Sequence, residues 1–270
     1  MTREALILVA HGSRHHHVVD ALRAIATTVA HDPRVAGRYA VDVAFLDHVA
    51  PTLTQVCSRL AAQGCTHAVG VPLLFTDAFH ARVDVPAQVR AAYEASGLVV
   101  SIAPGLGTGG DIAALVEQRC GELARSVLPV EDVAGVREVR VLYSVGSSDA
   151  VASDAVDRLA ASVGALSVVA TGCRPHGGAE VEKIVANEVA SGVSSRVVVL
   201  VQPLFVAPGI LWSWAVQELS RARSTHDPGS TQSVEVRCGT PLGVDLATII
   251  VDRACAVWSG RVSRSRPAAA

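Results

Sequence analysis

Three observations predict an α/β fold of two tandemly duplicated, open parallel-sheet domains with helices on both faces and a cleft between them. Apolar runs of strand length alternate four times with stretches of helical spacing before residue 128, the pattern of a parallel sheet covered on both sides. After residue 136 the pattern starts again. Three short motifs then recur in the same order at offsets of 131 to 136 residues. The expected boundaries are 1–128 for the first domain, 136–260 for the second and 261–270 for a tail.

Taken in order, Ala5–Ala10 is an apolar run of buried-strand type, and Val19–Ala30 carries Leu22, Ile25 and Val29 at helical spacing. Tyr39–Leu46 alternates as a strand does. Pro51 is placed in the first turn of a helix bearing Leu53, Val56 and Leu60, where its missing N–H costs least. Ala68–Phe75 is the third strand, 86–95 the third helix, Leu98–Ala103 the fourth strand and 111–127 the fourth helix. Pro129–Glu138 reads as a linker. Val139–Tyr143 then runs into Ser144-Val-Gly-Ser-Ser148, an echo of Ala10-His-Gly-Ser-Arg14. Arg196–Val201 runs into Gln202-Pro-Leu-Phe205, an echo of Val71-Pro-Leu-Leu74, and Thr240-Pro-Leu-Gly243 echoes Pro104-Gly-Leu-Gly107. Each copy has the length of a domain, far beyond a solenoid repeat. Ser224–Ser233 reads as a polar loop and Ser259–Ala270 as a frayed end.

Composition narrows the function classes. A chain of 270 residues, half of them hydrophobic, buries about three quarters of its surface and needs no disulfide or metal staple. Six cysteines (57, 65, 120, 173, 238 and 255) stand without CxxC pairs, which suits a reducing compartment. No apolar run approaches the ~20 residues of a membrane span, and the first strand begins too early for a signal peptide, so the cytoplasm is expected. A net charge of −2 without a basic tract argues against nucleic acid. Lys183 is the sole lysine among 23 basic residues, which leaves Schiff-base chemistry almost no candidate.

The polar residues that could carry chemistry gather where strands end, the place where open α/β sheets bind ligands. His11, in His11-Gly-Ser-Arg14, either emerges from the first strand end beside a glycine turn that lets the backbone approach a ligand, or is a buried histidine beneath a tight turn. After the third strand come Asp77, His80, Arg82 and Asp84. His80 is free to reach the cleft if Asp84 caps the helix entered through Pro86; Arg82 is a solvated charge or an anion contact. Asp47 ends the second strand and reads as a ligand carboxylate or as a helix-start residue, with His48 exposed beside it. Gly105-Leu-Gly-Thr-Gly-Gly110 has the GxGxxG spacing, but it follows the fourth strand and lacks the later acid of a dinucleotide site, which favours a loop over the cleft. His15-His16-His17 reads as a solvated helix start or a metal relay, and Cys173-Arg-Pro-His176 as a loop pair or a cleft feature. His31, His67 and His226 have no distinguishing context. In the second copy Val145 stands for His11, Leu211 or Trp212 for His80, and a position near Gly172 for Asp47, so a single site in the first half is expected.

Together these motifs resemble the class II chelatases, specifically the sirohydrochlorin chelatases of siroheme and cobalamin synthesis. That family has a strand ending in HGSR, a second ending in FLE with a proline soon after, and a third reading VPLLL followed by HxxxDIP. Here they stand as His11-Gly-Ser-Arg14, Phe45-Leu-Asp47 with Pro51, and Val71-Pro-Leu-Leu74 with His80 and Asp84-Val-Pro86. The resemblance covers the first half closely, and the duplicated layout is similar to the long form of the family. It implies that His11 and His80 bind the metal and handle protons, with Asp47, one methylene shorter than the family acid, as the third group. It also implies a polycarboxylate tetrapyrrole substrate, with Gly12, Ser13, Arg14, Arg82 and the His15–His17 run available to its acid groups.

Elementary chemistry agrees with that job. Two imidazoles and a carboxylate leave coordination positions open and suit Fe2+ or Co2+, with Ni2+ admitted. A closed thiolate site would hold zinc by about 10–16 kcal/mol, too tightly for an ion that must be handed on, and no cysteine lies in the three motifs. The metal is thus a substrate, no organic cofactor is expected, and the internal duplication favours a monomer over a dimer. The competing readings are a non-catalytic metal or tetrapyrrole carrier, and a hydrolase or phosphatase using His11 and Ser13.

Overall fold

A computed structural model of the chain describes residues 3–13, 16–47, 49–76, 85–127, 135–170, 177–192, 194–222 and 233–264. The first repeat runs β1 (Arg3–Ala10), α1 (His16–His31), β2 (Tyr39–Phe45), α2 (Leu53–Ala62), β3 (Cys65–Pro72), α3 (Val85–Ser96), β4 (Val99–Ile102) and α4 (Gly110–Val127). The second runs β5 (Val136–Val145), α5 (Ala150–Ser162), β6 (Ala165–Ala170), α6 (Gly178–Ser191), β7 (Arg196–Pro203), α7 (Ile210–Ala222), β8 (Ser233–Cys238), a 3-10 turn at Gly243–Leu246 and α8 (Ala247–Arg264). Both sheets are four-stranded and wholly parallel. Their orders, β2-β1-β3-β4 and β6-β5-β7-β8, are the same order written twice, so the duplicated parallel fold is present.

Local chemistry sets several boundaries apart from those expected. Thr52, not Pro51, begins α2: its hydroxyl accepts from the Gln55 amide while the Gln55 side chain accepts from the Thr52 amide, a capping box. Pro51 instead lends its carbonyl to the Phe45 amide at 2.9 Å, covering the open edge of β2. β3 stops at Pro72, which has no N–H to continue a ladder. β5 starts at Val136, inside the expected linker, because Val136–Tyr143 pairs with β7 from its first residue. α8 runs on to Arg264, so Ser259–Arg264 is helix where a frayed end was expected.

Two compact units form, and their boundaries differ from 1–128 and 136–260. One unit contains residues 1–107 and 243–270, the other 108–242. The terminal helices are exchanged: α8 packs on β3 and α1, and α4 packs on β7. A helix goes where its apolar stripe is buried, whatever strand precedes it in the chain. Ile112, Leu115, Val116 and Cys120 make that stripe on α4; Ile250, Val251, Ala254 and Trp258 make it on α8.

In the first unit β1 is buried from Ala5 to Ala10, as a central strand covered on both faces must be. Ala5, Ile7 and Val9 pack with Leu53, Val56, Leu60 and Ala92 on the α2–α3 face. Strand alternation turns Leu6 and Leu8 to the other face, which α1 and α8 cover. There Leu22, Ile25 and Val29 are essentially fully buried, each contributing roughly 1.5–3 kcal/mol. Trp258 of α8 stacks on Tyr39 with ring centroids 3.8 Å apart. In the second unit Val139, Val141 and Tyr143 form one core with Val197, Val199, Val201, Trp212 and Leu219. Among the described residues no helix is long and apolar enough to cross a membrane.

Candidate active site

Strand order locates the crevice. From β1 the chain passes to β2 on one side, and β3 lies on the other, so the winding reverses between β1 and β3. Beyond the carboxyl ends of two such strands the loops part and leave room for a ligand. His11 sits there, one residue past β1.

The main chain around His11 is held from both sides. The ladder between β1 and β2 continues beyond the strands: Leu46 N–H donates to the Ala10 carbonyl at 2.9 Å and Asp47 N–H to the His11 carbonyl at 3.0 Å. On the other side Leu73 N–H donates to the Val9 carbonyl at 2.8 Å. Gly12 then turns with φ +92°, and a Cβ there would lie 2.0 Å from the Asp47 carbonyl oxygen. The expected close approach at this glycine is therefore to the end of β2. Gln88 on α3 fastens the same end, its side-chain amide donating to the Leu46 carbonyl at 2.6 Å.

His11 and Ser13 are partly exposed and Asp47 is exposed. The His11 Nδ1 atom is buried. The structure thus brings the main chains of His11, Gly12 and Asp47 together at one strand end. Arg14, His15, His48, Asp77, His80, Arg82, Asp84, Cys173, His176 and His226 lie outside the described residues. Among the described residues no group of three or more His, Cys, Asp or Glu side chains is placed to hold a metal; the expected set of His11, His80 and Asp47 has His80 beyond them.

The glycine-rich stretch 105–110 finds a structural use. A Cβ on Gly105 would lie 2.9 Å from the Leu74 carbonyl oxygen, and Gly107 N–H donates to that oxygen at 3.2 Å. The turn therefore grips the exit of β3, and α4 begins at Gly110. Two buried thiols are poor metal ligands: burial pushes Cys57 up to about 11 and raises Cys120 as well, which keeps both protonated. A groove of about 510 Å³ runs along the β2 edge past Arg23, Asp42 and Arg59. Its arginines already face carboxylates, Arg59 on Asp42 and Arg23 on Asp20, so it offers no uncompensated charge to an anion.

Sequence reasoning missed two residues here. Gln88 and Arg253 both act on main-chain carbonyls, contacts that leave no spacing signature. Arg253 lies on α8, and its Nε and Nη2 donate to the Gly105 and Leu106 carbonyls at 3.1 and 2.8 Å.

The second repeat keeps the frame, and among its described residues Val145 stands where the first repeat has His11. Leu204 N–H donates to the Tyr143 carbonyl at 2.8 Å, as Leu73 does to Val9; Gly239 donates to Val201 at 2.8 Å, as Ala103 does to Gly70. Val145 stands at the strand exit, half exposed, and Trp212 is packed into the core against Tyr143 and Phe205.

Fold and strand-end geometry define the class: a duplicated, chelatase-like parallel α/β protein. Comparison with known proteins narrows it. The CbiX family model matches residues 5–123. A sirohydrochlorin cobaltochelatase of Sulfurisphaera tokodaii is 31% identical over 86 residues, 32% of this chain and 69% of that protein. Among solved structures, SirB from Bacillus subtilis with Fe3+ has a TM-score of 0.69 at 20% identity, covering 94% of this chain and 95% of that one. The sirohydrochlorin chelatase SirB from Bacillus subtilis subspecies spizizenii, in complex with cobalt, has a TM-score of 0.64 at 20% identity over 93% and 94%. At that identity the structural likeness speaks for the fold. The chain belongs to the CbiX family of sirohydrochlorin chelatases.

Proposed function

We propose that this protein is a metal chelatase that inserts Fe2+ or Co2+ into sirohydrochlorin. The observation that carries the reading is His11, presented at the reversal of strand order with its main chain locked between β2 and β3. Family membership supplies the reaction, and the curated relative is a cobaltochelatase. Metal insertion exchanges two pyrrole N–H protons for one divalent ion, so the site must hold the ion weakly and accept two protons. A neutral imidazole does either. In this reading His11 and His80 receive the metal and the protons, and Asp47 stabilises the cationic intermediate stages from the neighbouring strand end. Gly12, Ser13, Arg14 and Arg82 meet the carboxylates of the macrocycle. The chain works as a cytoplasmic monomer, its duplication supplying internally a pair of domains.

Anaerobic mixing of protein, sirohydrochlorin and Co2+ or Fe2+, followed through the tetrapyrrole absorption bands, tests this. Acceleration over the metal-only rate is expected, with a loss of about 100-fold or more in His11→Ala and in His80→Ala. Tight tetrapyrrole binding without acceleration would make the protein a carrier and overturn the catalytic reading. So would undiminished rates in both variants.

A further inference from the structure

Arg253 lies on α8, yet its guanidinium reaches the turn that follows β4 in the first repeat. Its two donors fall on successive carbonyls, Gly105 at 3.1 Å and Leu106 at 2.8 Å. Those carbonyls belong to the turn that grips Leu74: Gly107 N–H donates to the Leu74 oxygen, and Gly105 is close enough to it to exclude a side chain. Leu73, one residue earlier, is bonded to Val9, two residues before His11. A line of hydrogen bonds thus runs from α8, through the 104–107 turn and the exit of β3, to the strand that leads into His11.

We propose that Arg253 is a positioning residue for metal insertion, fixing the β3 wall of the crevice opposite His11 through the Gly105 and Leu106 carbonyls. The inference rests on the chelatase reading above. An arginine suits the task because its planar fork meets two adjacent acceptors at once, which a lysine ammonium does not. Small displacements matter at such a place, since an error of about 1 Å in the placing of reacting groups can cost about 100-fold in rate.

The second repeat holds a built-in control. Arg119 on α4 makes related contacts, its Nη2 donating to the Thr240 hydroxyl at 2.7 Å and the Pro241 carbonyl at 3.3 Å, while its Nη1 faces Glu122 at 3.4 Å. The contacts of Nη2 fall in the turn that echoes 104–107, where Leu242 N–H donates to Phe205 at 2.9 Å. That turn lies against the exit of β7, whose other neighbour, β5, ends in Val145. The two arginines therefore share a structural duty, and only Arg253 is linked, through the 104–107 turn and the β3 exit, to a strand that runs into a histidine.

The test compares Arg253→Ala with Arg119→Ala in the full chain, using sirohydrochlorin and Co2+. Both variants should lose thermal stability to a similar degree. Arg253→Ala should lose about 30- to 100-fold in kcat with KM for sirohydrochlorin little changed, while Arg119→Ala keeps the wild-type kcat. Guanidinium ion added to Arg253→Ala, or the variant Arg253→Lys, should restore part of the loss. Equal losses in the two alanine variants, no loss in Arg253→Ala, or a loss confined to KM would each overturn the inference. If Arg253→Ala does not fold by circular dichroism, Arg253→Gln and Arg119→Gln carry the same comparison. A wild-type rate no better than metal alone would overturn the chelatase reading and this inference with it. Wild-type turnover with matched losses would overturn this inference alone.

Discussion

A methyl group at residue 12 would have to occupy space 2.0 Å from the Asp47 carbonyl oxygen, and at φ +92°. Both conditions exclude ordinary side chains, since positive φ costs an L-residue strain and the obstructing atom is backbone that cannot swing away. Gly12→Ala is expected to destabilise the protein by on the order of 3 kcal/mol and to lower chelation, because the His11 and Asp47 main chains must separate. Urea unfolding and the metal-insertion rate on the same preparation check both parts; an unchanged midpoint would show that the turn yields. The histidine itself was legible, as an imidazole followed by glycine directly after an apolar strand. What the glycine approaches was not: the expected neighbour was a ligand, and the found one is the end of β2. Contacts of that kind, with Gln88 on Leu46 and Arg253 on Gly105, join a side chain or a Cα to a main-chain oxygen distant in sequence. No periodicity encodes them.

At the scale of elements, type and order were readable because buried strands appear as unbroken apolar runs and amphipathic helices as spaced ones. Ends were harder. Thr52-Leu-Thr-Gln55 has the S/T-x-x-Q form of a capping box, and the proline beside it drew attention to the wrong residue. In the structure the two divide the work, with Thr52 accepting from the Gln55 amide of α2 and Pro51 covering the Phe45 amide on the open side of β2. The neighbouring Val43 amide is covered by the Asp42 carboxylate, itself held by Arg59. The outer edge of the sheet is thus closed to strand pairing beside the site. Thr52→Ala should cost about 1 kcal/mol, read as a lower denaturation midpoint, and leave the metal-insertion rate unchanged. A fall in that rate would mean that the start of α2 bears on the placing of Asp47.

For the whole molecule, the exchange of α4 and α8 was invisible in the sequence. An apolar stripe such as Ile112, Leu115, Val116 and Cys120 states that a helix is buried, and nothing in it names the sheet. The exchange has a mechanical consequence. A cut between residues 128 and 134 would divide the chain into two fragments, but neither compact unit belongs to one fragment: the first keeps α8 from the later fragment, and the second keeps α4 from the earlier one. Each exchanged helix buries several aliphatic side chains worth roughly 1.5–3 kcal/mol apiece. On the first unit the stacked pair Tyr39 and Trp258 and the Arg34–Asp252 ion pair at 2.5 Å add to the attachment. A chain with a specific protease sequence placed in 128–134 should therefore, after complete cleavage, elute from a sizing column as one species of unchanged size. It should keep its metal-insertion rate and come apart only in denaturant. Separation of the fragments in native buffer would mean that the covalent connection, rather than the exchanged helices, keeps each unit whole. Retention with loss of turnover would place the strain of cleavage in the crevice, since Arg253 and the β3 exit would then sit on different fragments.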